Sequence, residues 1–263
     1  MRTLTVQSLG CYPIKSAEVE PCLTAKVGPN GLLHDRQLMV VDQAGKFISQ
    51  RTEPKLATLR ARILVGHVEM SGGGMRPLSI PLNYQDCDKV ATVVCQDKIE
   101  AYDLGREAAG WLSDFLETPC RLVANCQDTQ RSTVTPNGHP GFSGLADAYP
   151  ILVTSQSSLD RINQALDRPI SMDRFRPNVV VAGWPEFAEN GWDNLRIGSV
   201  RLKAAAPCRR CKIIAVDQQT GKITHPQLLQ ILQGLNSGPN FGQYFIPETS
   251  GEINVGDEVT VLA

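Results

Sequence analysis

The chain has 263 residues, with 26 Lys and Arg against 27 Asp and Glu and a formal net charge of −1. No bulk field therefore draws it to nucleic acid or to anionic lipid, and an anionic ligand must be held by a local cluster of basic side chains. A chain of this length buries a sufficient core without covalent staples, as one large domain or two modest ones.

The first hundred residues carry short apolar or alternating runs. Strands are expected at 4–9, 60–65, 90–95 and 98–102. Residues 36–42, the turn Gln43-Ala44-Gly45 and the return run 46–49 predict a β-hairpin. Gly72-Gly73-Gly74 marks a flexible turn. The first helix is expected over 105–117, where Ala108, Trp111, Leu112, Phe115 and Leu116 recur at helical spacing. After Pro119, the segment 127–144 is rich in Thr, Ser, Asn, Gly and Pro and lacks hydrophobic periodicity. It reads as a loop, either plain and exposed or serving as a lid or linker. Strands follow at 151–154, 178–182, 195–205 and 211–217. Helices are expected at 157–166, with Leu159, Ile162 and Leu166 on one face, and at 226–235, with Thr224 as N-cap. Residues 251–259 read as short strands around tight turns. The pattern is mainly β with some α, an α+β fold.

Eight cysteines lie along the chain without dense spacing. The first segment is too short and mixed for a signal sequence, and no apolar run is long enough to span a bilayer. These features predict a reducing compartment and a cytoplasmic protein.

The most chemically pointed feature is Pro207-Cys208-Arg209-Arg210-Cys211-Lys212, two thiols among three cations. Cations favour the thiolate, the form that binds a soft metal or attacks an electrophile. A lone Cys-x-x-Cys is also half of a structural zinc site, for which Cys120 with Cys126, or His225, are the available supplements. It can equally be a redox pair or two incidental core cysteines. A redox pair of the thioredoxin kind opens a helix after a strand, whereas 211–217 reads as a strand that the pair precedes. Other cations gather at predicted strand ends. Lys15 and Ser16 follow the first strand, Asp35-Arg36 sits at the mouth of the hairpin, and Arg51 follows its return run. Arg174-Phe175-Arg176-Pro177-Asn178 leads into an apolar run of central-strand character, which makes Arg176 the leading anion-binding candidate.

Taken in order, Tyr12-Pro13-Ile14-Lys15-Ser16, Asp35-Arg36, Gln50-Arg51-Thr52-Glu53-Pro54, Phe175-Arg176-Pro177-Asn178, Pro207-Cys208-Arg209-Arg210-Cys211, Val216-Asp217-Gln218-Gln219-Thr220-Gly221 and Phe241-Gly242-Gln243-Tyr244 resemble the MOSC proteins. Within that family they resemble the branch of the mitochondrial amidoxime-reducing component and its bacterial relatives. The resemblance implies a β-barrel-like MOSC fold with a smaller N-terminal β-rich domain, divided as 1–119 and 120–263. It implies a molybdenum cofactor, a molybdopterin whose dithiolene holds the metal, with Cys211 as the protein ligand to molybdenum and Cys208 as its neighbour. Lys15, Ser16, Arg36 and Arg176 match positions that contact the pterin phosphate, with Asn178 beside them, and Tyr149 and Tyr244 match positions near the cofactor. The implied reaction is reduction of N-hydroxylated compounds such as amidoximes, hydroxylamines or N-hydroxylated bases. Asp147 is a candidate general acid. Asp217 is either a second one or a turn former, the latter being favoured. A ferredoxin-like C-terminal domain and the membrane anchor of mitochondrial members have no counterpart in the sequence. Electrons are therefore expected from a separate ferredoxin, flavoprotein or cytochrome b5-like protein, with no membrane span and no nucleic-acid partner. The competing reading is a carrier of molybdenum cofactor or sulfur, with a persulfide on Cys208 or Cys211.

Overall fold

The computed structural model describes residues 4–126, 131–236 and 238–262. Its largest sheet has eight strands, in the spatial order Glu20–Cys22, Thr5–Cys11, Val179–Ala182, Ile151–Ser155, Asn240–Pro247, Val200–Arg209, Asn194–Ile197 and Val259–Leu262. The sheet curls until its ends meet: Thr5 bridges Glu258, the Val6 N–H donates to the Asp257 carbonyl, and the Val259 N–H donates to that of Leu4. Closure pairs the backbone groups that an open edge would leave unpaired. Val6, Val153, Val179, Val181, Leu195, Val200 and Phe245 fill the interior. The run Val179-Val180-Val181 lies parallel to Ile151–Ser155 at the middle of this sheet and is buried throughout, as its unbroken apolar character requires.

A second sheet orders Leu38–Asp42, Cys120–Asn125, Asp97–Asp103 and Lys89–Val94. The helix Gly105–Leu116 buries Ala108, Leu112, Phe115 and Leu116 against Leu38, Val40, Met70 and Leu122. The chain's first long strand, Thr5–Cys11, belongs to the closed sheet, while Cys120–Asn125 belongs to the four-stranded one. The two cores are thus laced together, and the strand ends that leave both sheets converge between them.

Several local expectations are corrected. The hairpin forms but is shorter than expected: Phe47 bridges Val41 antiparallel, the Asp42 N–H donates to the Lys46 carbonyl and the Ile48 N–H to that of Val40. Leu38–Asp42 pairs more extensively with Cys120–Asn125, because that run brings the fully buried Leu122, Val123 and Ala124 into the core. The described part of 127–144 holds a hairpin, Ser132–Val134 with Pro140–Phe142, rather than a structureless loop; residues 127–130 lie outside the described residues. Its strands are three residues long and include Pro140 and Gly141, which erases any period-two signal. Gly141 is required there, since a Cβ would come within 2.9 Å of Ile246. Residues 211–217 form no strand. The strand runs Val200–Arg209 and gives way to a 3-10 turn, Lys212–Ala215, whose short apolar run fills a buried corner instead of a pleat. The last helix spans Leu228–Leu235 with Gln227 at its cap. Thr224 is drawn away by Arg174, whose Nη2 donates to its hydroxyl at 2.8 Å.

Candidate functional site

One cavity between the two cores is lined by Lys15, Ser16, Arg36, Asp147, Tyr149, Arg176, Asn178, Cys208, Cys211 and Tyr244, whereas Asp217, Cys120, Cys126 and His225 do not line it. It has a cationic end and a sulfur end.

At the cationic end, Ser16, Arg36 and Arg176 have φ of 71°, 48° and 55°. This left-handed backbone costs a non-glycine residue about 1 kcal/mol or more and persists where the surroundings impose it. The buried ring of Tyr12 lies between two guanidiniums, 4.6 Å from that of Arg36 and 4.3 Å from that of Arg176, each contact being a favourable cation–π pair. Arg36 donates to Asp35, to Asn178 Oδ1 at 3.1 Å and to the Arg176 carbonyl at 3.1 Å. Burial opposes its charge, and Asp35 outweighs that opposition and raises its pKa. Arg176 Nη1 donates to the Ala17 carbonyl at 2.6 Å, whereas its Nη2 is buried with no partner. Burial pulls its pKa down to about 10, so it remains charged at neutral pH. A buried, charged N–H without an acceptor is costly, and an anion in the cavity would relieve that cost.

Asn178 is spent on the scaffold. Its Oδ1 accepts from Arg36 and from the Leu152 N–H, and its Nδ2 donates to the Gly10 carbonyl. It therefore works by orienting Arg36. The remaining arginines differ sharply. Arg210 gives Nε and Nη2 to the Phe241 carbonyl and Nη1 to that of Phe175. Arg174 holds the Ala215 carbonyl, Asp217 and Thr224. Arg174 thus braces the turn that follows Cys211, and Arg210 ties the segment before it to Phe175 and Phe241. Asp217 accepts from the Thr220 N–H and hydroxyl as well as from Arg174, which makes it the turn former.

At the sulfur end the two cysteines part company. Cys208, at the end of its strand, is 1% exposed. Burial pushes its thiol up, more strongly than Arg210 and Tyr244 pull it down. Cys211 is half-buried, starts the 3-10 turn and lines the cavity. Arg51 lines the cavity with it, and its guanidinium interacts electrostatically with the Cys211 sulfur. Arg51 also reaches Asp147 Oδ2 at 3.4 Å, and Lys15 Nζ donates to Asp147 Oδ1 and to the Leu145 carbonyl. Burial would raise the Asp147 carboxyl, but Lys15 and Arg51 outweigh it and hold the group well below the usual carboxylate range. Asp147 stands here as the charge partner of Lys15.

Sequence reasoning left Tyr12, Phe47, Arg51, Arg174 and Arg210 out of the site. Tyr12, Arg51, Arg174 and Arg210 lay within or beside the quoted motifs, whereas Phe47 carried no signal beyond its place in an apolar run. Among the described residues no three His, Cys, Asp or Glu side chains cluster as a metal site, so Cys120, Cys126 and His225 do not complete a zinc centre around the Cys-x-x-Cys pair.

Residues 3–119 match the MOSC N-terminal beta barrel domain and residues 141–260 match the MOSC domain. The chain is 32% identical to mitochondrial amidoxime-reducing component 1 of Xenopus laevis, over 97% of this chain and 81% of that protein. The chain belongs to the MOSC family. To the Homo sapiens amidoxime-reducing component 1 it is 30% identical, over 98% of this chain and 83% of that one. To the Homo sapiens molybdenum cofactor sulfurase it is 31% identical, over 92% of this chain but only 30% of the sulfurase. The MOSC chain thus spans most of the first relatives' length and under a third of the sulfurase's.

Proposed function

We propose that this MOSC chain binds the molybdenum cofactor and reduces N-hydroxylated compounds with electrons from a separate protein. The observation that carries the reading is the buried, partnerless Nη2 of Arg176, set among Lys15, Ser16 and Arg36 in the same cavity as the accessible sulfur of Cys211. Donors aimed at an anion and one soft thiolate suit a ligand with a phosphate at one end and a thiophilic metal at the other. Ser16, Arg36 and Arg176 would hold the phosphate, and Cys211 would ligate molybdenum. When bound, the cofactor supplies two-electron chemistry, and the balanced reaction consumes one N–OH group, two electrons and two protons to give N–H and water. The chain's own contribution is to orient and to exclude. Arg51, paired with Asp147, brings a cation to the Cys211 end of the cavity, and Lys15 keeps Asp147 as a carboxylate. Tyr149 and Tyr244, with ring centroids 5.7 Å apart, form an aromatic wall.

Among the described residues no helix is long and apolar enough to cross a membrane, and all eight cysteines are free. The reading therefore includes a reducing, cytoplasmic setting. The test is to load the purified protein with cofactor, supply reduced viologen and follow benzamidoxime. Turnover is expected. Reversible cofactor transfer without turnover would instead identify a carrier, the role suggested by the likeness to the sulfurase.

A further inference from the structure

Beneath the cationic end lies a feature that the site description leaves unused. Gln50 and Gln218 are 1% and 4% exposed, and neither lines the cavity. They pair head to tail: Gln50 Nε2 donates to Gln218 Oε1 at 2.9 Å, and Gln218 Nε2 donates to Gln50 Oε1 at 3.0 Å. The second hydrogen of each amide goes to backbone, from Gln50 to the Ser16 carbonyl at 2.8 Å and from Gln218 to the Val216 carbonyl at 3.1 Å. Gln218 Oε1 also accepts from Arg176 Nη1 at 3.5 Å.

The attachments of this pair are selective. Ser16 and Arg176 are two of the left-handed residues at the cationic end, and Val216 closes the turn that begins at Cys211. The two glutamines are 168 residues apart in the chain, one near the four-stranded sheet and one after the Cys-x-x-Cys pair. A closed amide ring away from water tolerates little displacement, because moving one partner leaves the other's polar atoms unsatisfied.

The geometry points to Gln50 and Gln218 as positioning residues that lock Ser16, the Arg176 guanidinium and the Cys211 turn in one register, so that both ends of a single ligand are met together. This rests on Ser16 and Arg176 being the anion donors of the proposed function. A pair that served stability alone would lower the melting temperature without touching anion affinity.

The test uses inorganic phosphate as probe, titrated calorimetrically into the whole chain. The parent is compared with Gln218→Met, Gln50→Met, Arg176→Met and the double variant Gln218→Met/Arg176→Met. Gln218→Met should weaken phosphate binding about tenfold, and Arg176→Met at least as much. The double variant should bind no worse than Arg176→Met alone, because the glutamine acts through that guanidinium. Gln218→Asn keeps an amide but falls one methylene short of Gln50. It should show the same loss and covers the case in which methionine prevents folding. Unchanged affinity in folded Gln218 variants, or a double variant whose loss is the product of the two single losses, overturns the positioning role while Arg176→Met still reports the anion site. Unchanged affinity in Arg176→Met overturns the anion site itself, and the positioning role with it.

Discussion

The two ends of the cavity are built on opposite principles. The cationic end is over-determined: Lys15, Arg36 and Asn178 are each bonded to residues from distant parts of the chain, and a strained backbone is tolerated to aim them. The sulfur end is sparing, with one thiol fully buried and the other half-buried in the cavity lining. The contrast teaches that burial, more than sequence motif, separates an open sulfur from a closed one. Multiple charges must be braced against each other before they can be buried together.

The sharpest way to break this contrast is at the cysteines. Cys211→Ala should abolish molybdenum-dependent benzamidoxime turnover in the viologen assay, while Cys208→Ala keeps much of it. Equal losses would contradict the division of roles. The next largest effect tests the bracing at the cationic end. Asp147→Asn leaves the buried Lys15 ammonium without its carboxylate, and because Asp147 is itself 45% exposed the expected loss at neutral pH is about 2 kcal/mol, less than for a fully buried pair. The folded-state pKa of Asp147 lies below its unfolded value of about 3.9. The carboxylate's contribution is therefore complete above that value and is lost as pH falls through the folded pKa. Denaturant melts of parent and Asp147→Asn should differ most near neutrality and converge in acid, and a gap that widened in acid would reverse the assignment. The smallest effect concerns the aromatic wall. The Tyr149 hydroxyl donates to the Val134 carbonyl at 3.2 Å and pins the hairpin Ser132–Val134 with Pro140–Phe142 to the site. Tyr149→Phe should cost about 1 kcal/mol or less and hasten proteolytic cleavage in that hairpin, with global stability little changed.

Much of this was legible before folding was considered. The helix Gly105–Leu116 declares itself through its apolar spacing, and the central strand Val179–Ala182 through an unbroken apolar run. The site residues were found because motif order survives in a linear chain. The cations that flank the Cys-x-x-Cys pair were legible but misleading. Arg209 and Lys212 are exposed, and Arg210 is consumed by the carbonyls of Phe175 and Phe241. A further cation at that end of the cavity is Arg51, some 160 residues earlier in the chain and paired with Asp147. Sequence proximity sets which charges are near the backbone of a thiol, but rotamer and hydrogen-bond competition decide which one meets its sulfur.

By itself, the sequence determined the β-rich character of the protein, the family and the set of side chains that end up in one cavity, because apolar periodicity and motif order are local properties carried by neighbouring residues. Only the tertiary structure decided which guanidinium keeps an unpartnered N–H, which cysteine stays open and which carboxylate is held ionised. Each of these depends on burial and on partners brought together from strands far apart in the chain, and electrostatics in a low-dielectric interior is set by those distances.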